Sequence, residues 1–187
     1  MKNLRMTAIA GCIGLAAVTL LSGCQTTNAS IPYEVSTENV VAIQSGLQTK
    51  KVSVSNITLA DGVSEHLMCR MNGDVIVSPG KTLSQYVKDA FQKELFTAQA
   101  YDVHGAKIEG RIEELSFSSV TPASWTITMR VHSSASKGYS VSIKYPFETS
   151  WIAMEACKNT ANAFAPAVQA LLKEVVTNPQ FPTLAGS

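Results

Sequence analysis

Charge is scarce in this 187-residue chain: 16% of its residues are Asp, Glu, Lys or Arg, against roughly 25% in an average soluble domain. There is no excess of either sign, with 15 Lys+Arg facing 14 Asp+Glu. A nucleic-acid binder normally carries a basic surplus, so that class is not expected. Four Cys are too few for a disulfide-scaffolded miniprotein, and 11 Gly exclude a collagen-like repeat. Apolar residues make up 45% of the chain, which is ample for a packed core and argues against disorder. No internal repeat or low-complexity tract breaks it up, and the length suits one domain.

The N-terminus accounts for part of the missing charge. Lys2 and Arg5 form a short basic segment, and Met6–Leu21 follows without a charge. That is the layout of a secretory signal; the competing reading is an uncleaved membrane helix, for which the run is borderline in length. The run closes on Leu21-Ser22-Gly23-Cys24, which resembles the lipobox of bacterial lipoproteins. A second match at Ile9-Ala10-Gly11-Cys12 leaves too short an apolar run before it, so Cys24 is the expected acylation site. The resemblance implies removal of residues 1–23, acylation of Cys24 and anchoring in a bilayer; several acyl chains hold where one is marginal. Gln25 resembles the outer-membrane sorting signal of such proteins. Cleavage takes Lys2 and Arg5 and no acid, so the balance becomes 13 basic against 14 acidic residues.

Residues 24–47 are read as the lipidated Cys and a polar tether, with a partly docked N-terminal strand that packs Val40, Val41 and Ile43 as the alternative. Residues 48–182 are read as one domain, and 183–187 as a C-terminal tail. Val52, Val54, Ile57 and Leu59 change parity midway, which predicts a strand with a bulge. Asp61–Ser78 reads as an irregular connection holding a short strand at Val75–Val77. Thr82 and Gln85 have capping-box spacing, and Leu83, Val87, Ala90, Phe91, Leu95 and Ala98 make one apolar helix face ending near Ala100. Three alternating strands follow, around Ile108–Phe117, Trp125–Val131 and Tyr139–Phe147, with turns at Thr121-Pro122-Ala123 and Ser136-Lys137-Gly138. Pro146 predicts an edge or a break. A last helix over Met154–Thr177 contains Pro166, which predicts a kink near Asn162. The order β-α-β-β-β-α predicts an α+β two-layer sandwich: a mainly antiparallel four-stranded sheet with two helices on one face.

A lipobox followed by this domain resembles the small Gram-negative outer-membrane lipoproteins of the YajG and LptE-like type. The segments that carry the likeness are Lys81–Tyr101, Ile108–Phe117 and Tyr145–Phe181. The last includes Tyr-Pro-Phe-Glu-Thr-Ser-Trp, Ala-Cys and Ala-Phe-Ala-Pro-Ala-Val-Gln. The resemblance implies a non-catalytic accessory or binding subunit of an envelope assembly or transport system, facing the periplasm. It supplies no active-site motif and implies no cofactor. The alternatives are a surface-displayed interaction protein, adhesin- or inhibitor-like, and a small periplasmic enzyme.

Cys69 and Cys157 remain once the other two are accounted for. In an oxidising periplasm an even pair predicts a disulfide, worth on the order of 4–5 kcal/mol for a loop of about 88 residues in the chain-entropy description. Two free buried thiols are the alternative. Ser78-Pro79-Gly80-Lys81-Thr82 imitates a phosphate loop, but its glycines are misplaced and Pro79 lacks a donor, so no nucleotide site is expected. Ser78…Lys81 and Ser134…Lys137 match Ser-x-x-Lys without the partner motifs. His66, His104 and His132 have no metal-ligand spacing, and His66 with Cys69 lacks a second pair. Glu113 and Glu114 are expected on opposite faces of a strand. One surface stands out: Thr128, Arg130, His132 and Lys144 on the polar sheet face, with Arg130 and Lys144 adjacent, offer a site for a protein partner or an anionic glycan. A merely solvated face is the alternative.

Overall fold

The four alternating segments pair into one sheet. The computed structural model describes residues 31–186; residues 1–23 and Cys24 lie outside them. Strands β1 (Val52–Leu59), β2 (Ala106–Ser118), β3 (Ser124–Ser133) and β4 (Ser136–Pro146) lie in sheet order β1-β2-β3-β4. β1 is parallel to β2, and the other pairs are antiparallel. The parallel step needs a long crossover, which is supplied by the 60–82 connection and a helix over Leu83–Thr97. The parity change in β1 is a bulge between Val54 and Asn56. β4 ends at Pro146 on the open edge of the sheet. The fold is α+β, as its alternation predicts.

Period-two burial places Ile108, Ile112, Trp125, Ile127, Met129 and Val131 on one face, all inaccessible to solvent. Helices α1 (Thr37–Leu47), α2 (Leu83–Thr97), α3 (Ala153–Asn162) and α4 (Phe164–Thr177) bury their apolar sides over that core. Burial of each such side chain stabilises by about 1.5–3 kcal/mol. Thr82 caps α2, its hydroxyl accepting from the Gln85 N–H while the Gln85 side chain accepts from the Thr82 N–H. The expected single last helix is divided at Ala163 into α3 and α4. Pro166 stands in the first turn of α4, where its missing N–H has no partner to lose.

Several boundaries differ from the sequence reading. Residues 37–47 are helix α1, not tether. Ser36 caps it, and Ile43 and Leu47 are buried against the core. The expected tail is also structured: Phe181–Ala185 forms a 3-10 helix with Leu184 fully buried. Gly46 fits because a Cβ there would sit 3.2 Å from the Phe181 ring. Val75–Val77 is not a strand; an isolated bridge joins Met68 to Asp74, while Val75 and Val77 are buried. The β3–β4 turn falls at Ser134-Ala135, with Gly138 inside β4 at φ +71. A Cβ at Gly138 would lie 1.6 Å from the Val131 carbonyl oxygen, so only glycine closes this hairpin.

Three tyrosines join the layers. Tyr139 donates to the Val175 carbonyl at 2.6 Å, tying β4 to α4. Tyr86 packs on Phe164, and Tyr33 reaches α2. Burial is the first cause of a raised pKa for each; that of Tyr86 moves from 10.0 to about 12. In an unfolded chain these phenols ionise near 10, so the folded state retains protons that the unfolded state has lost. Stability is therefore expected to hold below pH 10 and to fall between pH 10 and about 12 as Tyr86 is passed. Urea unfolding across that range checks it, with Tyr86→Phe expected to flatten the fall.

Candidate functional site

The open sheet face is the first candidate. Its side chains alternate with the buried ones along β2, β3 and β4, so Thr128, Arg130, His132 and Lys144 do share it. Register separates the two cations. Arg130 lies opposite Ser140, and Lys144 lies opposite Thr126; four strand residues span about 13 Å. Several of the polar groups have a neighbour. Thr128 Oγ1 is 2.9 Å from Ser142 Oγ and donates to Glu114 at 3.3 Å. Arg130 donates to the Lys137 carbonyl at 2.7 Å. His132 Nε2 stands 3.8 Å from Glu109, and Ser140 donates to Glu113 at 3.1 Å.

Glu113 and Glu114 are both exposed toward this face, contrary to the alternation expectation. A bulge between Ile112 and Glu114 shifts the register, so each meets a hydroxyl of the open face. The surface is thus a neutral mosaic of hydroxyls with both charge signs, suited to broad polar contact rather than to capture of one anion.

The second candidate is the strap of residues 31–36. It lies on α2 and borders a cleft of about 520 Å³ with Val77, Ser78, Lys81, Asp89 and Lys93. Lys81 pairs with Asp89, and Lys93 donates to the Tyr33 carbonyl at 2.9 Å. Thus the phosphate-loop look-alike opens a capped helix, and its lysine pairs with an acid of that helix.

Beneath the strap is an unforeseen polar node. Glu94 is completely buried. Its Oε1 accepts from Tyr33 Oη at 2.5 Å, the Ser36 N–H at 3.1 Å and Asn39 Nδ2 at 3.3 Å. Asn39 also donates to the Gln169 carbonyl at 3.1 Å, and Gln169 donates to the Glu34 carbonyl at 2.6 Å. At the surface, Lys173 meets Glu38 at 2.6 Å; this hydrogen bond lowers the Glu38 pKa and raises that of Lys173. A charged residue at the helical spacing of Val87, Ala90 and Phe91 was the sequence signal for Glu94.

The third candidate is the set of connections at the end toward which β1 and β2 run. Cys69 and Cys157 form a disulfide across 88 positions, so Cys69 is not a metal thiolate beside His66. His66 instead meets Asp74 at 2.8 Å. Arg70 bridges three segments: its Nε donates to Ser119 Oγ at 3.1 Å, one terminal nitrogen to the Ser119 carbonyl, and the other to the Ser150 carbonyl at 2.9 Å. Thr149 donates to the same Ser119 carbonyl at 2.5 Å. Trp151 is fully exposed here, whereas Trp125 is buried with its indole N–H on the Thr160 carbonyl at 2.8 Å.

No protein-family model matches the chain, and no curated protein matches it. Among solved structures, it is similar to a crystal structure of protein XCC0632 from Xanthomonas campestris, described as DUF330. The sequence identity is 10% and the TM-score 0.46, with 70% of this chain and 86% of that chain covered. That likeness is too slight to carry an activity across.

Two stability effects follow from these contacts. Tyr33→Phe removes one donor from buried Glu94 and is expected to cost about 1–3 kcal/mol. Cleavage of Cys69–Cys157, by reduction or by paired Ala substitution, is expected to cost about 2–5 kcal/mol. Urea titration of each variant measures both.

Proposed function

We propose that this protein is a lipoprotein anchored in the outer membrane through acylated Cys24. Its periplasm-facing domain acts as a non-catalytic accessory or binding subunit of an envelope assembly or transport system. The observation that carries the reading is the short leash between the lipobox and the folded chain. Tyr33 is already buried against α2, nine positions after Cys24. Fully extended, nine residues span at most about 32 Å. A domain held that close to a bilayer suits work against components in or on it. The neutral, hydroxyl-rich open face supports contact with another envelope macromolecule. Its hydroxyls at Thr128, Ser140 and Ser142 bond to one another or to Glu113 and Glu114, which suits an interface more than an acid–base site.

Intact-mass measurement of the protein from membranes should show loss of residues 1–23 and acylation at the new N-terminus. Cys24→Ser should remain unprocessed and disappear from the outer-membrane fraction; its unchanged presence there would overturn the anchor. Crosslinking in cells should recover one stoichiometric outer-membrane partner. Protease digestion of intact cells should leave the domain whole, and its removal would favour surface display instead.

A further inference from the structure

Large exposed apolar side chains are unevenly distributed. Among the described residues ten are strongly exposed, and seven of these sit at one end of the domain. Met68 and Met71 belong to the 60–82 connection, Val120 to the β2–β3 turn, and Trp151, Ile152 and Met154 to the β4–α3 junction. Trp151 is 100% exposed and Met71 92%. Ile31, the first described residue, is the seventh and borders the cleft with Val77, Ser78 and Lys81 at the same end.

These side chains are held out by construction. The disulfide joins the segment of Met68 and Met71 to α3, and Arg70 clamps that segment to Ser119 and Ser150. Rigid presentation of a Trp and several Met to water is unfavourable unless something apolar receives them. The direction of the chain identifies the receiver. The strap runs along α2 from Glu94 back to Tyr86 and then to the Val77–Lys81 segment. Ile31, the first described residue, therefore stands at the end where the apolar tips project. Seven positions separate Cys24 from Ile31, a reach of at most about 25 Å.

We propose that this loop end inserts its apolar tips into the bilayer that holds the acyl chains of Cys24, as a second membrane contact beside the anchor. This rests on the lipoprotein reading above. Trp is favoured at the headgroup level, and the Met side chains adapt to irregular apolar surroundings. The charged side chains of this end, Arg70, Lys81 and Lys158 with Asp61, Glu65, Asp74, Glu148 and Glu155, carry no basic surplus that would attract an anionic lipid surface. Docking is therefore driven by apolar insertion and should persist in high salt.

The test uses the full-length protein purified from membranes and reconstituted into phosphatidylethanolamine/phosphatidylglycerol vesicles with brominated acyl chains. Trp125 is shielded in the core, so Trp151→Phe supplies the background from that residue alone. The expected result is loss of most Trp151 emission in brominated vesicles, unchanged in high salt and absent from the variant. Acylated protein that floats with the vesicles while Trp151 stays unquenched overturns the docking and leaves the anchor standing. A chain without an acyl mass overturns both. Crosslinking from position 151 to one stoichiometric protein in cells, with Trp151 unquenched in vesicles, assigns the surface to a protein partner and also overturns the proposal.

Discussion

A four-stranded sheet with one apolar face must have that face covered, and this constraint organises the rest of the chain. Trp125, Ile127, Met129 and Val131 on β3, with Ile108 and Ile112 on β2, present a continuous dry surface. Helices α2 and α4 supply most of the cover. α1 and the 3-10 turn complete it, placing Ile43, Leu47, Phe181 and Leu184 in the same core. The chain has few charges because so much of it serves two buried surfaces, while the outer face of the sheet is dressed with Ser and Thr.

Periodicity made the sheet and α2 legible. Alternation from Trp125 to Val131 and the Thr82–Gln85 pair name their own structure, since each arises from local geometry. The helix α1 was hidden by its shortness and polarity: Val40, Ile43 and Leu47 have helical spacing, but Asn39, which is fully buried, reads as a surface residue. Its burial depends on Glu94 and the Gln169 carbonyl, partners 55 and 130 positions away. The bulge that brings Glu113 and Glu114 to one face is also set by strand pairing, which local alternation does not encode. The Cys69–Cys157 pair was readable by elimination, whereas the Arg70 clamp was not, because its acceptors, a hydroxyl and carbonyls, lie in distant turns.

The two ends of the domain are fastened by different chemistry. At the loop end, a covalent bond and a guanidinium organise segments that lack regular structure, so their shape survives without a core beneath every residue. At the opposite end, the backbone closes on itself: the Val52 N–H donates to Ala100 at 2.9 Å, and the Ala106 N–H to Lys51 at 3.1 Å. Fixed connections at one end and tight turns at the other leave the open face of the sheet uncovered between them.

The strap over α2 has a mechanical consequence. A pull on the chain before Ile31, back toward the Val77–Lys81 end, acts along the α2 axis rather than away from it. Tyr33 Oη and the Ser36 N–H, both on Glu94, then share the load with the Lys93 bond to the Tyr33 carbonyl. These contacts are loaded together in shear instead of opening in sequence. Tension applied there therefore passes into the C-terminal part of α2, and through it into the sheet, rather than peeling α1 from the domain.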